Sequence, residues 1–332
     1  MKVFIKDIAY YLPSRVVTND ELVKEFPEWS VDKIAEKVGV RERRVSSSEE
    51  TASDLAIRAA EALFDKGVAK RGEIDFLLFC TQSPDYKLPS SACIIQNKLG
   101  LRTSCGAFDF NLGCSGYEYG LAMSKGLIAG GIAKNVLLLT GETYNKYLHP
   151  RDKGNRTIFG DGASATLIST DGFAEIGEFV LGTDGSGAKD LIVKTGGARI
   201  PEQVGDLTFD EGGNPISSDY LYMDGQDIFV FTLTKVPMMT KEVLEKNNLQ
   251  KDDIDLFVFH QANKYMLEHL RKKLKIDGDR FFVNLCKVGN TVSSTIPIAL
   301  CDTREQGKLK GNVILAGFGV GLSWGGVVLR VR

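Results

Sequence analysis

The sequence contains an internal repeat with a period of about 180 residues, and this repeat constrains the fold more than any other feature. The segment Glu73–Cys80 (EIDFLLFC) is similar to Asp253–His260 (DIDLFVFH), 180 positions later. The segment Asn135–Leu139 (NVLLL) is similar to Asn312–Ala316 (NVILA), 177 positions later. All four are apolar runs typical of buried strands, and they occur in the same order in each half. We therefore predict a duplicated fold with two similar halves.

Strands and helices are predicted to alternate along the chain, which favours the α/β class. We place the two halves at residues 1–171 and 172–332. The segment Gly182–Asp219 is rich in Gly, Asp and Pro and predicts a long surface excursion. The candidate strands include IDFLLFCT, AFDFNL, NVLLLTG, SATLIST, IDLFVFHQ, FFVNL and NVILAGF.

Composition limits the classes of function. The 332 residues carry a net charge of −2, so the chain has no general attraction for nucleic acid or for an anionic membrane. The six cysteines and three histidines form no CxxC pair and no zinc-site spacing. We therefore predict no metal and reduced thiols, as in a cytoplasmic protein. No apolar run reaches the roughly 18 residues that a membrane span requires.

Cys114 is the first candidate for a chemical role. It lies in FNLGCSGYEYGL, where Gly113 and Gly116 permit a tight turn and a helical pattern follows. The free N–H groups and the dipole of a helix N-terminus stabilise a thiolate, which attacks thioesters and leaves readily. The alternative is a buried structural cysteine, because free cysteine is among the most buried residue types.

His260 and Asn290 are two further candidates. His260 ends the apolar strand of FVFHQANKY, which places it at a strand terminus facing a cleft; a hydrogen-bonded core histidine is the alternative. Asn290, in KVGNTVSS, precedes a helical segment at the position that matches Cys114 in the first half. Its amide could donate to a developing oxyanion, or its side chain could cap the following helix, and the two roles are compatible.

The C-terminal run GFGVGLSWGG differs from a dinucleotide-binding loop. Leu322 stands where the third glycine is required, and a strand rather than a helix is predicted to follow. We interpret the run as a turn that supplies a backbone N–H donor to the cleft.

Together these segments resemble the thiolase-fold condensing enzymes, and most closely the β-ketoacyl-acyl-carrier-protein synthase III family. The resemblance covers nearly the whole chain, and it implies a duplicated αβαβα fold and a homodimer. The motifs that carry it are, in order, VGVRERRVSSSEETASDLA, FDFNLGCSGYEYGL, FGDGASATLI, MDGQDIFVF, HQAN, GNT and GFGVGLSWG.

The resemblance implies a catalytic triad of Cys114, His260 and Asn290. Cys114 would take an acyl group from a CoA or carrier-protein thioester, with no cofactor beyond the phosphopantetheine arm of those substrates. A malonyl thioester on a carrier protein would then lose CO2 while His260 and Asn290 donate to its thioester carbonyl. The carbanion would attack the acyl group on Cys114 and release a β-ketoacyl thioester.

An oxyanion hole is also implied. It would combine the backbone N–H of Cys114 with one from the loop formed by Gly319, Val320 and Gly321.

Two differences separate the chain from related families. A degradative thiolase needs a second catalytic cysteine in the C-terminal glycine loop, and residues 317–321 contain none. A hydroxymethylglutaryl-CoA synthase uses an early glutamate, and Gln82 stands at the position we judge equivalent. Both differences favour decarboxylative condensation in fatty-acid or specialised acyl-chain synthesis. The alternatives are acyl transfer to oxygen or nitrogen on the same fold, and a non-catalytic partner subunit of a paralogous synthase.

The substrate contacts implied by the resemblance depart from the family pattern. In the family a tryptophan and an arginine contact the CoA nucleotide; here Trp29 lies further upstream of Gly39 than that tryptophan, and Lys37 stands near the place of that arginine. Lys153 replaces the arginine of a DRG motif. Lys264 follows HQAN where the family has an apolar residue. Lysine is a point charge where arginine is a bidentate fork, so we expect different phosphate contacts. Leu88 of a partner subunit would help shape the acyl pocket.

A local basic rim is a further prediction, with an acidic carrier protein as its partner. The alternative is a set of ordinary solvated charges. The rim would consist of Lys37, Arg41, Lys153, Arg156, Lys264 and Arg271.

Overall fold

The computed structural model describes every residue from Met1 to Arg332 and contains fifteen strands and nine α-helices. The strands are β1 (Phe4–Tyr11), β2 (Arg15–Thr18), β3 (Glu42–Val45), β4 (Phe76–Cys80), β5 (Gly106–Phe110), β6 (Val136–Glu142), β7 (Gly162–Ser169), β8 (Ala174–Thr183), β9 (Leu191–Ile192), β10 (Thr208–Phe209), β11 (Pro215–Ile216), β12 (Tyr222–Met223), β13 (Leu256–Phe259), β14 (Gly311–Gly319) and β15 (Ser323–Val331). The helices are α1 (Asn19–Glu25), α2 (Val31–Val38), α3 (Ala52–Asp65), α4 (Ser91–Lys98), α5 (Gly116–Ala129), α6 (Lys153–Arg156), α7 (Gly225–Lys246), α8 (Lys264–Leu274) and α9 (Thr295–Glu305).

The strand pairing repeats between the halves. Nine strands form a mixed sheet in the order β13-β14-β15-β8-β1-β7-β6-β4-β5. In the first half, β4 pairs in parallel with β6, and the antiparallel pairs β6–β7 and β7–β1 follow. In the second half, β13 pairs in parallel with β14, and the antiparallel pairs β14–β15 and β15–β8 follow. The two segment pairs that revealed the repeat are therefore β4 with β13 and β6 with β14.

The halves meet at β1 and β8, which pair only at Phe4 with Glu175 and at Ile5 with Ala174. The predicted boundary near Asp171 stays a prediction; this residue lies in the turn between β7 and β8. The first half has a fifth strand, β5, but its counterpart is reduced to one parallel bridge between Phe257 and Phe281. The prediction of a strand over the whole FFVNL run is therefore wrong.

Two helices lie between the sheet halves and others cover the outer faces. Tyr117 and Leu121 of α5, with Ile296 and Leu300 of α9, pack in one cluster with strands from both halves. Helices α3 and α4 pack on the outer face of the first half, and α7 and α8 on that of the second. This layering confirms the predicted duplicated αβαβα architecture.

Local sequence signals account for several helix starts. At α3, Thr51 Oγ1 accepts from the Asp54 N–H, and the Asp54 carboxylate accepts from the Thr51 N–H, which satisfies two free donors of the first turn. The segment from Gly182 to Asp219 forms only short strands and is mostly exposed, as the sequence predicts. None of the helices combines the length and the apolar character that crossing a bilayer requires.

Candidate active site

Cys114, His260 and Asn290 line one cavity of about 80 Å³, here called the thiol cavity. They come from three places in the fold: the turn before α5, the residue after β13, and the loop before α9. The duplicated topology brings these places together, because chain segments that follow parallel strands meet at one edge of a sheet. The structure thus groups the three residues that the sequence singles out.

The Cys114 turn depends on close approach of neighbouring backbone. The N–H of Gly116 donates to the carbonyl of Gly113 at 2.8 Å, and α5 starts there. A Cβ on Gly116 would collide with the sulfur of Cys80, and a Cβ on Gly319 would lie 2.9 Å from the sulfur of Cys114. A larger residue at position 319 would displace the Cys114 thiol, and one at position 116 would displace the Cys80 sulfur.

Burial controls the charge of the Cys114 thiol. Burial raises its pKa far above the ordinary value, and the Glu142 carboxyl raises it further. The backbone N–H groups of Cys114 and Val320 lower the pKa of the thiol, but they do not overcome burial. The resting thiol is therefore protonated at neutral pH, and the sequence-based expectation of a thiolate stabilised by the helix N-terminus does not hold before substrate binds.

His260 is a neutral imidazole. It is 2 % exposed, and burial lowers its pKa to about 3. Its Nδ1 lies 2.7 Å from Thr295 Oγ1, and that hydroxyl also lies 3.1 Å from the carbonyl oxygen of Val292. When the hydroxyl donates to Nδ1, the ring hydrogen is on Nε2; when it donates to Val292, the hydrogen is on Nδ1 and Nε2 is an acceptor.

The amide of Asn290 has a fixed orientation. Its Oδ1 accepts from the N–H of Val292 at 2.9 Å, so Nδ2 is the end that faces His260, 3.5 Å from Nε2. Nδ2 also lies 3.4 Å from the carbonyl oxygen of Ala262. The N-cap of α9 is Ser294, so the capping alternative for Asn290 is wrong. The side chain instead closes a tight turn and leaves its donor in the cavity.

The glycine-rich loop lies against the thiol. Strand β14 ends at Gly319, which lines the thiol cavity, and Val320 and Gly321 lead into β15. The N–H of Val320 lowers the pKa of the Cys114 thiol. The oxyanion-binding roles of this loop remain predictions.

Glu142 is a buried carboxyl next to the site that the sequence analysis missed. It accepts from the Gln82 N–H at 3.1 Å, from the Ser83 hydroxyl at 2.6 Å and from the Ser293 hydroxyl at 3.2 Å. It therefore joins the loop after β4 to the loop that carries Asn290. Burial raises its pKa to about 8. The available signal was a charged residue at the end of a strand that begins with four apolar residues, VLLLTGE.

The residues predicted to contact substrate lie outside the thiol-cavity wall. The Trp29 ring has the ammonium groups of two lysines of α2 near it, that of Lys37 at 5.8 Å. Lys153 forms an ion pair with Glu28, and Lys264 lies 3.9 Å from the Glu268 carboxylate. Leu88 is 81 % exposed on the loop before α4. Their roles in binding remain predictions.

The predicted basic rim is partly neutralised by intrachain contacts. Arg156 pairs with Glu25, as Lys153 does with Glu28. The guanidinium of Arg271 donates to the carbonyl of Ile276. Because of these contacts, fewer of the six cations are available to bind a partner than the sequence suggests.

The fold and the cavity together define a class, the thiolase-fold enzymes with a cysteine at a helix start. Residues 108–185 match the family described as 3-oxoacyl-[acyl-carrier-protein] synthase III, and residues 244–331 match its C-terminal part. The β-ketoacyl-[acyl-carrier-protein] synthase III of Clostridium perfringens is 37% identical over 324 residues, covering 97% of both chains. That of Caldanaerobacter subterraneus is 36% identical over 327 residues, covering 96% of this chain and 95% of the relative.

Solved structures agree with these matches. A crystal structure of a 3-oxoacyl-(acyl-carrier-protein) synthase III superposes with a TM-score of 0.97 at 47% identity, covering 99% of this chain and all of that one. The 3-oxoacyl-(acyl-carrier-protein) synthase from Burkholderia xenovorans gives 0.91 at 36% identity, covering 100% and 94%. The chain therefore belongs to the 3-oxoacyl-[acyl-carrier-protein] synthase III family, as its motifs predict.

Proposed function

We propose that this chain condenses an acyl thioester starter with a malonyl thioester, with loss of CO2, through an acyl group on Cys114. The observation that carries the proposal is the grouping of Cys114, His260 and Asn290 around one buried cavity. The N–H groups of Cys114 and Val320 act on the same sulfur. Family membership supports the reaction class.

In the first half-reaction, the neutral His260 ring accepts the thiol proton on Nε2. The sulfur attacks the thioester carbonyl carbon, and the N–H groups of Cys114 and Val320 stabilise the oxyanion. The bond to the donor's sulfur then breaks, and the donor leaves as a thiol with that proton. Proton transfer to His260 overcomes the high pKa that burial imposes on the thiol.

In the second half-reaction, Thr295 donates to Nδ1 of His260, so Nε2–H becomes a donor. Because Nε2 and the Asn290 Nδ2 are 3.5 Å apart, both groups can donate to the same thioester carbonyl oxygen of the malonyl substrate. Decarboxylation places negative charge on that oxygen, which the two donors stabilise. The carbanion attacks the acyl carbon, the bond to Cys114 breaks, and the released thiolate takes one proton from water. We propose no resident cofactor, since the phosphopantetheine arm arrives with the substrates.

We further propose an acyl carrier protein as partner, a homodimer as the working assembly, and the cytoplasm as location. Leu88 is 81 % exposed and Tyr86 on the same loop is 63 % exposed, so this loop presents apolar side chains that a partner subunit can cover. Three rim cations, Lys37, Arg41 and Arg271, form no ion pair with a carboxylate of the same chain, whereas the other three do.

Intact-protein mass spectrometry tests the proposal. Wild type, Cys114→Ala and the double variant His260→Ala/Asn290→Ala are incubated with a panel of acyl-CoAs, and malonyl carrier protein is then added. We expect an acyl adduct that forms rapidly on wild type, about a hundredfold more slowly on the double variant, which lacks the proton acceptor, and not at all on Cys114→Ala. Malonyl carrier protein should remove the adduct and give β-ketoacyl product only in wild type.

Other outcomes would contradict the proposal. An adduct that malonyl carrier protein never consumes, but that passes to an alcohol or amine, would indicate acyl transfer to oxygen or nitrogen. The absence of any adduct, with co-purification of a second synthase, would indicate a partner-subunit role.

A further inference from the structure

A separate cavity of about 230 Å³ lies between the paired strands β2 and β3, helix α1 and the chain that joins β6 to β7. It shares no wall residue with the thiol cavity. We call it the arginine cavity, because its only charged wall residues are Arg43 and Arg156. Its other wall residues are Val17, Leu22, Val45, Asn145, Leu148 and Pro150. A wall with two cations and no carboxylate attracts an anion.

Arg43 is a buried cation that pairs with no carboxylate. It is 1 % exposed, and its three hydrogen bonds go to two backbone carbonyls and to the side-chain oxygen of Asn19. Nε and one hydrogen of Nη1 donate to no atom of the chain. Burial, and then the nearby charge of Arg156, lower the pKa of Arg43 to about 10, although Glu42 acts in the opposite direction. A buried cation without a counterion is costly, so an anion beside it would be stabilised.

Arg156 is fixed in place with one edge free. Its Nη1 and Nη2 donate to the Glu25 carboxylate, and Nη1 also donates to the carbonyl of Pro150. The guanidinium carbon lies over the Phe26 ring, 5.4 Å from the ring centre. These contacts leave Nε–H and the second N–H of Nη2 without a partner in the chain. Those two N–H groups form the planar fork that binds both oxygens of a carboxylate.

The local charge favours a single negative charge on the ligand. Arg43, Arg156 and Glu25 together carry one net positive charge, since Glu25 pairs with Arg156. One carboxylate would balance this charge, whereas a phosphate dianion would exceed it.

The rest of the wall favours an organic ligand. Five of the eight wall residues are Val, Leu or Pro. The one uncharged polar residue, Asn145, donates through its side-chain amide to the buried Asp161. A bare inorganic ion would leave the apolar surface in contact with water, whereas a hydrocarbon body would cover it. The volume lies below the range of drug-sized ligand sites, so this body must be short.

We propose that the arginine cavity binds a short-chain organic acid as its carboxylate. The free edge of Arg156 and the free Nη1 hydrogen of Arg43 bind the carboxylate oxygens. The hydrocarbon body contacts Val17, Val45 and Leu148. Binding makes and breaks no covalent bond, and it does not depend on the proposed function, because no residue of the thiol cavity takes part.

A ligand-detected NMR titration of the full chain tests the proposal with three probes. They are sodium hexanoate, its neutral analogue hexanamide, and inorganic phosphate, each in about 150 mM NaCl to screen weak surface attraction. We expect hexanoate to bind wild type with a Kd of about 1 mM or below. Hexanamide, which lacks the charge, and phosphate, which lacks the hydrocarbon body, should each bind at least about tenfold more weakly.

Four variants locate the binding. Arg156→Gln removes the fork, so hexanoate should bind at least about tenfold more weakly. Val45→Phe fills the cavity while both arginines remain, and binding should be lowered to the same extent. Glu25→Gln removes the carboxylate that competes for Arg156, so hexanoate binding should be retained or strengthened. Arg151→Gln is the matched control, because it removes an exposed arginine outside the cavity wall and should change nothing. Thermal unfolding confirms that each variant is folded.

Several results would overturn the inference. Hexanoate binding that Arg156→Gln and Val45→Phe both leave unchanged would place the ligand elsewhere, the thiol cavity included. Equally tight binding of hexanamide would remove the role of the arginines, and equally tight binding of phosphate would remove the role of the apolar wall. Absence of hexanoate binding up to about 10 mM would show that the cavity takes no such acid. None of these results concerns acylation of Cys114, so the proposed function is tested separately.

Discussion

The hydroxyl of Thr295 lies 2.7 Å from Nδ1 of His260 and 3.1 Å from the carbonyl oxygen of Val292. The hydroxyl hydrogen can therefore be donated either to Nδ1 or to the Val292 carbonyl oxygen. Which of the two accepts it determines which nitrogen of the neutral His260 ring carries hydrogen. In the proposed mechanism, acylation starts with Nε2 as a proton acceptor and condensation starts with Nε2–H as a donor. Thr295 supports both starting states on a neutral ring.

Thr295→Val should impair both half-reactions. Without the hydroxyl, Nδ1 loses its donor in one tautomer and its acceptor in the other. We expect Cys114 acylation and malonyl-dependent product formation each to be lowered about tenfold, the effect of one lost hydrogen bond to the ring. Single-turnover mass spectrometry measures the two steps separately. Thr295→Ser should restore both steps; unchanged rates in Thr295→Val would contradict the role of the hydroxyl.

Gly319→Ala should block the nucleophile. The new Cβ would lie 2.9 Å from both the Cβ and the sulfur of Cys114, so the thiol must move. We expect a stability loss of about 1–3 kcal/mol from overpacking, with acylation lowered by at least about a hundredfold. Gly185→Ala is the matched control, because its Cβ would meet nothing within 4 Å. Normal acylation in Gly319→Ala would contradict the close packing of this loop on the sulfur.

Glu142→Gln should change how stability depends on pH. Burial raises the pKa of Glu142 from 4.5 to about 8, so between these values the folded chain holds a proton that the unfolded chain has lost. The contribution of Glu142 to the free energy of unfolding therefore falls as pH rises from about 5 to 8, by at most about 1.4 kcal/mol per pH unit.

Glutamine cannot titrate, so the stability difference between wild type and Glu142→Gln should shift in favour of the variant as pH rises. Urea unfolding at pH 5, 6, 7 and 8 measures the difference, with exposed Glu211→Gln as control. A difference that stays constant over this range would show that Glu142 has the same protonation in both states.

The rate of condensation should not fall as the pH is lowered through the ordinary pKa of histidine. Burial lowers the pKa of His260 to about 3, so the folded ring stays neutral through pH 6.5. We expect the rate of malonyl decarboxylation by the acyl-enzyme to stay within about twofold between pH 5.5 and 7.5, given a neutral catalytic ring throughout. His269→Gln, which removes a partly buried histidine of α8, should give the same profile. An acid limb near pH 6.5 in both proteins would contradict a neutral His260.

The depressed pKa of His260 also affects stability. Below pH 6.5 the unfolded chain binds a proton at this histidine that the folded chain does not bind. The His260 contribution to the free energy of unfolding is therefore lost progressively as pH falls from about 6.5 toward 3.

The sequence by itself determined the duplicated architecture. Strand signals are local, because apolar runs of five to eight residues mark buried strands wherever they occur, and their recurrence at an offset of 180 predicts pairing of equivalent strands. The same alignment placed Cys114 and Asn290 at equivalent positions and His260 at a strand end. The prediction of a fifth strand at FFVNL was wrong, because an apolar run does not show whether a neighbouring strand is available for pairing.

Only the tertiary structure decided what surrounds each reactive group. The protonation of Cys114 depends on burial and on Glu142, which is 28 positions along the chain; the state of His260 depends on Thr295, 35 positions along it. The number of unpaired cations in the predicted rim depends on whether Lys153 forms an ion pair with Glu28. Such contacts join residues distant in sequence, and the cost of burying a charge depends on the whole surrounding packing, so no local pattern encodes them.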